Sequence, residues 1–216
     1  MMKRAMDRRV LVFDQHAPEY DRWFEQHEPL YQSEVNALRK FIPRAGHGLE
    51  IGAGTGRFSI PFGIRLGVEP SRAMARIARR RVVAVCRAMG ERLPFRDNQF
   101  DFVLLVTVIC FVAGVPALLE ETGRVLKSGG QIIIGFIDRN SVLGQVNEAR
   151  QATDEVYRVA RFYSAAEVAG CVQQAGFGAM QFCQTLFGVP SDRDTVEPIR
   201  EGCGQGAFVV LSAEKN

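Results

Sequence analysis

Three glycines alternate over a few residues, Gly52, Gly54 and Gly56, directly after the mainly apolar stretch Leu49-Glu50-Ile51. This is the pattern of a strand that turns sharply into a helix. Residues without a Cβ can take φ above zero and let a bound group approach the main chain, and N–H groups at a helix start favour anionic atoms. Glycines alone also fit a tight turn with no ligand, so the rest of the chain has to decide between the two.

Residues 64–69, 82–86, 100–108 and 131–137 read as further strands, because each is a short, nearly continuous apolar run. Between them, residues 71–81 form a helix that Ser71 can cap, and residues 116–126 form another that ends at Lys127-Ser128-Gly129-Gly130. Pro61 and Gly63 limit the segment after the glycine turn to one or two helical turns. Further on come helices over 145–160 and 164–175, then strands over 181–187 and 207–213, separated by a long loop over 188–206. Upstream, residues 1–15 read as a loose arm and 18–42 as a helix pair divided by Pro29. Apolar strands alternating with helices imply a parallel sheet covered on both faces. The expected fold is therefore α/β, a Rossmann-like three-layer sandwich. Its sheet is seven-stranded and mostly parallel with the last strand antiparallel, and an N-terminal helical cap precedes it.

A 216-residue chain with 47% hydrophobic and 24% charged residues can bury one substantial core. Its net charge of +3, with acidic and basic residues interspersed, gives no electrostatic reason to expect a nucleic-acid partner. The longest apolar run, residues 102–112, is well short of the roughly 20 residues of a membrane-spanning helix. The apolar residues 10–13 are too few for a signal peptide. Five singly placed cysteines without a CxxC pair argue against a disulfide framework or a zinc site, so no metal is expected and the cytoplasm is the expected compartment.

In an open parallel sheet, ligands sit outside the carboxyl ends of the strands. The glycine turn, Glu69, Met89 to Glu91 and Thr107 all fall at those ends, which lifts a binding site above a purely structural turn. Glu69, nineteen positions after Glu50, can accept hydrogen bonds from both hydroxyls of a ribose. A nicotinamide dinucleotide wants a small residue where this chain has Arg57. Glu50, two residues before the first glycine, would repel a pyrophosphate but suits a ligand with an ammonium and a sulfonium.

In order, the segments Leu49-Glu50-Ile51-Gly52-Ala53-Gly54-Thr55-Gly56-Arg57-Phe58, Gly67-Val68-Glu69-Pro70-Ser71, Glu91-Arg92-Leu93-Pro94-Phe95, Phe100-Asp101-Phe102-Val103 and Arg124-Val125-Leu126-Lys127-Ser128-Gly129-Gly130 cover about residues 48–138. With this spacing the chain resembles the class I S-adenosylmethionine-dependent methyltransferases, specifically their small-molecule, quinone-biosynthesis-like branch. The resemblance implies one domain over 1–216, with an arm and cap over 1–45, a cofactor-binding half over 46–138 and a substrate-side half over 139–216. It implies S-adenosylmethionine as cofactor, held by Glu50, Gly52, Ala53, Gly54, Gly56, Glu69, Pro70, Met89, Gly90, Glu91 and Thr107. The turn would meet the methionine part, Glu69 the ribose, and Met89 to Glu91 the adenine. Many relatives have an aspartate near Met89 that accepts from the adenine amino group. This chain has none, which leaves backbone and apolar contact there.

The implied reaction is methyl transfer to a small molecule. The alternatives are a protein that binds or senses S-adenosylmethionine without turning it over and, disfavoured by the balanced charge, a nucleic-acid methyltransferase. Candidate bases are His16, Tyr20, His27 and Tyr163, on segments that in relatives cover the pocket, although ordinary packing or surface exposure is the commoner reason for each. Asp138 reads as either a site residue or a turn residue, Trp23 and Phe24 as either cleft lining or core, and the arginines from Arg72 to Arg81 as a solvated helix face. The sequence identifies neither the methyl acceptor nor the oligomeric state.

Overall fold

A computed structural model describes residues 7–81, 83–188 and 195–216. An eight-stranded sheet forms its centre, with strand order β3-β2-β1-β4-β5-β8-β6-β7. The strands are β1 (Gly48–Ile51), β2 (Leu66–Val68), β3 (Ala84–Cys86), β4 (Phe100–Val106), β5 (Leu126–Ile137), β6 (Phe177–Thr185), β7 (Arg200–Glu201) and β8 (Phe208–Lys215). The first five pair in parallel, while β8 runs antiparallel to both β5 and β6. This is the expected Rossmann-like sandwich with an antiparallel last strand. The two-residue β7, inside the expected loop, adds an eighth strand at the edge beside β6. Residues 189–194 of that loop, residues 1–6 of the expected arm and Val82 lie outside the described residues.

Helices α1 (Arg8–Gln26) and α2 (Glu28–Arg39) precede the sheet, followed by α3 (Arg72–Arg80), α4 (Val115–Val125), α5 (Val142–Ala149), α6 (Glu155–Arg158) and α7 (Ala165–Gln174). Ser71 caps α3 by accepting from the Met74 N–H, and Ser164 and Glu167 form a reciprocal capping box on α7. No helix of the described residues is long and apolar enough to cross a membrane.

Several boundaries differ from expectation. The stretch after the glycine turn is a 3-10 turn, Ile60–Phe62, instead of an α-helix, closed by Gly63 at φ 66°. The helix over 145–160 is three pieces, α5, a 3-10 turn Arg150–Ala152, and α6. Strand β6 starts four residues earlier than read, because a register shift between Gly178 and Gln181, with Ala179 at φ 48°, breaks the alternation that marks a strand. From residue 7 onward there is no loose arm. Asp7 caps α1 by accepting from the Arg9 N–H, and the helix continues through Pro18.

Leu49, Ile51, Val103 and Leu105 face one layer with Leu118, Val125, Val168 and Val172 of α4 and α7. The alternate residues Phe102, Leu104 and Val106 face the other with Val35 and Leu38 of α2, Phe58 and Phe208. At the centre of that second layer, the missing Cβ of Gly135 would stand 2.6 Å from the Phe208 ring, so only glycine leaves room for it.

Helix α1 lies across the strand ends and is held at two places. Asp14 accepts from the Ser71 hydroxyl and from the Ala73 N–H at the start of α3. Asp21 accepts from Arg57 Nε at 2.9 Å and from Arg81 at 2.8 Å, and the Arg57 guanidinium also reaches Glu25. Arg57, read as a misfit in a dinucleotide turn, is the residue that clamps the cap to the glycine turn.

Two outcomes are expected. Phe208→Ala, which empties a fully buried site, lowers stability by about 3–5 kcal/mol, read as a shift in denaturant midpoint. Asp21→Ala leaves two partly buried guanidiniums without their shared carboxylate and costs about 1–3 kcal/mol. Proteolysis within α1 then accelerates before the sheet unfolds; an unchanged cleavage pattern would show that the clamp carries no weight.

Candidate functional site

The order β3-β2-β1-β4 reverses direction between β1 and β4, and an α/β sheet leaves a crevice at such a point. A cavity of about 880 Å³ opens there. Its floor is the ends of β1, β2 and β4 with the loops that follow them. One face of α1 covers it with Arg9, Phe13, His16, Tyr20 and Trp23, continued by His27 at the C-terminal cap, all spaced three or four residues apart. Residues of α5, the 3-10 turn after it and α6 make the remaining wall.

The turn after β1 is built from positive-φ glycines, Gly52 at 69°, Gly54 at 53° and Gly56 at 83°. A Cβ at Gly52 would come within 2.3 Å of Val108, so no side chain fits. The Gly52 and Ala53 N–H groups both donate to the Val68 carbonyl, at 2.8 and 3.0 Å, tying the turn to β2. At the end of β2, Glu69 accepts from the Gly54 N–H at 2.9 Å and from the Ser71 N–H at 2.7 Å. Burial pushes its carboxyl up to about 7 despite those two bonds.

Gly52, Gly54, Glu69, Pro70, Met89, Gly90, Glu91 and Thr107 line the cavity together. Thr107 leaves β4 at φ 54°, and its N–H donates to the Gly135 carbonyl at 2.7 Å. Glu91 accepts from the Ala113 N–H through one oxygen, while its other carboxylate oxygen is buried without a hydrogen-bond partner among the described residues. Three residues expected at the ligand do not line the cavity. Strand alternation sends Leu49 and Ile51 to one layer and turns Glu50 to the other, where it accepts from the Ser59 hydroxyl. Burial raises the Glu50 carboxyl to about 8, so it presents no steady negative charge at neutral pH. Ala53 packs toward Gly67, and Gly56 against Ala78 and Val83.

All four candidate bases line the cavity. Tyr20 is hydrogen-bonded to Thr107, and desolvation pushes it and Tyr163 above the ordinary phenol value, so both keep their protons at neutral pH. His16 is 3.9 Å from Glu155, and His27 stacks on Trp23 at 4.6 Å with Nδ1 2.9 Å from the Trp23 carbonyl. Trp23 and Phe24 both line the cavity, although Phe24 is also core. Asp138 does not line it; its carboxylate accepts from the Asn140 N–H, which makes it a turn residue. Arg72, Arg76, Arg79 and Arg80 are exposed, whereas Arg81 is engaged with Asp21 and the Thr55 carbonyl.

Sequence reasoning missed Asn147 and Arg150, which reach the cavity from the segment after β5. It also missed Arg9 and Phe13, on the part of α1 taken for an arm. The signal available for the latter was Asp7, a capping residue placed immediately before Arg8.

The residues fit an adenosyl amino acid on three observations. There is a turn with glycine at alternate positions, a buried carboxylate at the end of the neighbouring strand, and, on the next strand's loop, a carboxylate oxygen without a partner among the described residues.

Comparison with known proteins gives the same answer. A methyltransferase-domain family model matches residues 49–134. A Thermotoga maritima structure, described as a SAM-dependent methyltransferase and possible histamine N-methyltransferase, superposes with a TM-score of 0.93 at 44% identity. That match covers 96% of this chain and 100% of the other. An uncharacterized protein of Methanocaldococcus jannaschii is 48% identical over 204 residues, 94% of this chain and 98% of its own length. A demethylmenaquinone methyltransferase of Symbiobacterium thermophilum is 33% identical over 146 residues, 56% of each chain. The chain belongs to the S-adenosylmethionine-dependent methyltransferases.

Proposed function

We propose that the chain transfers a methyl group to a small molecule bound in the same cavity as S-adenosylmethionine. The observation that carries this is the continuity of the cavity. The residues around the glycine turn and those of α1, α5 and α6 line one space, whose volume lies within the usual range for ligand sites. Residues 46–138 are assigned the cofactor and the remainder of the single domain the acceptor.

In this reading the backbone at Gly52 and Gly54 meets the methionine part, Glu69 the ribose hydroxyls, and Pro70, Met89 and Gly90 the adenine. Glu91 takes the role of the missing aspartate, since its free oxygen is a buried acceptor awaiting a donor. The bound cofactor supplies a methyl group activated on a sulfonium. The protein's part is to hold the acceptor atom in line with that methyl and exclude water, which contributes roughly 7–11 kcal/mol in favourable cases. Tyr20 and Tyr163, protonated, donate hydrogen bonds and orient. Five free thiols accord with the cytoplasm as the compartment.

The test is incubation with methyl-labelled S-adenosylmethionine and a small-molecule extract, following label transfer and S-adenosylhomocysteine release. Label entering only RNA, in a salt-sensitive manner, would overturn the reading.

Glu69 also gives a pH prediction. A carboxyl whose folded value is raised stabilises the cofactor-free fold below the ordinary carboxylate range and loses that contribution as pH rises through about 7. Ribose hydroxyls donate best to the ionised form, so cofactor binding runs the opposite way. Affinity for S-adenosylhomocysteine is expected to rise up to about tenfold per pH unit below 7 and level off above it, measured by calorimetry. Glu69→Gln removes that slope and weakens binding at pH 8 by tenfold or more; a wild-type affinity that does not change with pH would contradict the assignment.

A further inference from the structure

The far half of the cavity contains a polar group that nothing in the cofactor assignment uses. Asn147, on the inner side of α5, is 6% exposed and lines the cavity, and its side-chain oxygen has no hydrogen-bond partner among the described residues. Buried amides are ordinarily satisfied, and one left open costs stability unless a ligand completes it. On the same helix Leu143 and Val146 also line the cavity, so on α5 the amide stands beside apolar side chains.

Around it the walls are aromatic and the charge is mainly negative. Trp23 with His27, Phe13 with Phe111, and Tyr157 with Phe162 form ring pairs along the lining. Apart from Glu69 and Glu91, the lining carries the carboxylates of Glu19, Glu34, Asp154 and Glu155 against the guanidiniums of Arg9 and Arg150, the latter 5.9 Å over the Tyr157 ring. A lining of this sign draws cations, and aromatic faces hold cations by cation–π attraction and flat rings by stacking.

We infer that this half of the cavity binds a nitrogen nucleophile, an amine or azole carrying an N–H on a compact apolar body, with the Asn147 amide as the residue that anchors it and sets specificity. The inference rests on the small-molecule reading and narrows it. Nitrogen is favoured over oxygen, sulfur or carbon acceptors because a neutral amine already holds its attacking lone pair, whereas phenols, thiols and carbon acids need a base first. Tyr20, Tyr163 and Cys110 keep their protons, burial pushing the Cys110 thiol up to about 12, and of the two histidines in the lining His16 faces Glu155 while His27 is held on the Trp23 carbonyl. The facing carboxylates favour the ammonium form of an alkylamine, so it releases a proton to solvent water before its lone pair attacks, whereas an azole already offers a neutral nitrogen. The nitrogen lone pair forms the new N–C bond as the C–S bond breaks, its electron pair going to sulfur. The proton lost from nitrogen passes to solvent water.

The experiment titrates a panel of arylalkylamines and azoles, including histamine and 2-phenylethylamine, into the protein saturated with S-adenosylhomocysteine. The matched alcohol 2-phenylethanol and thiol 2-phenylethanethiol are run beside them, and turnover of each is followed with labelled S-adenosylmethionine. Members of the amine panel are expected to bind by calorimetry and to be methylated, the alcohol and thiol not. Asn147→Leu raises Kd and KM for the amine about tenfold and leaves S-adenosylhomocysteine affinity unchanged. Asn147→Asp, which keeps the shape and an acceptor oxygen, retains amine binding and guards against a folding defect in the leucine variant.

Methylation of the thiol or alcohol in preference to every amine, or no amine binding across the panel, overturns the inference while leaving small-molecule transfer standing. Label entering only RNA removes the parent reading as well. Equal loss of amine and S-adenosylhomocysteine binding in Asn147→Leu places the residue with the cofactor and overturns its assignment.

Discussion

The site depends on the way the turn after β1 is bonded to the end of β2. Gly52 and Ala53 direct their N–H groups to the Val68 carbonyl, and Gly54 directs its own to the Glu69 carboxylate. Backbone amides that would otherwise be unsatisfied at a strand end are thereby used internally. They also hold the acidic side chain at the cavity wall. The arrangement requires positive φ at alternate positions and no Cβ at Gly52, so the glycine spacing follows from geometry. It further requires that β1 and β2 be parallel neighbours, which ties the site to the sheet order.

Helix α1 is the second determinant, because a single face of it bounds both halves of the cavity. Phe13 and Tyr20 look onto the loop after β4 and the glycine turn, and His16 faces α6. A helix with a proline in its interior is a weak element by itself, since Pro18 has no N–H to offer Asp14 and disfavours the preceding turn. Here the two clamps lie on either side of that proline, Asp14 to the start of α3 and Asp21 to Arg57 and Arg81. Tertiary hydrogen bonds keep helical a segment whose local sequence argues for a break.

That contrast explains what could be read from the sequence. The sheet class, most of its strands and the placement of Glu69, Gly52 and Gly54 at the strand ends were legible, because periodicity and turn chemistry are local and leave a mark within a few residues. The start of α1 is marked only by Asp7, since Pro18 is the strongest local signal in its neighbourhood and is overruled by partners 36 to 60 residues away in sequence. Glu50 is expected at the ligand from its charge and from the family resemblance. Its direction is set by which layer Leu49 and Ile51 occupy, and that puts it on Ser59. Asn147 was invisible for a related reason, because a polar residue in a helix pattern becomes informative only when its burial and missing partner are known.

Arg57 shows how one substitution can carry two constraints. In a dinucleotide fold its position must be small so that the helix after the turn can pack on the strand. Here that helix is reduced to a 3-10 turn, so the steric demand lapses and a long side chain is admitted. The guanidinium then reaches over the turn to Asp21 and Glu25, and the Arg57 carbonyl accepts from the Tyr31 hydroxyl at 2.6 Å. Both cap helices are therefore attached at one residue of the glycine turn. Losing the helix that would have covered that flank is what made room for the residue that fixes the cap, so the short turn and the ordered cap are two consequences of the same local sequence, Arg57 to Gly63.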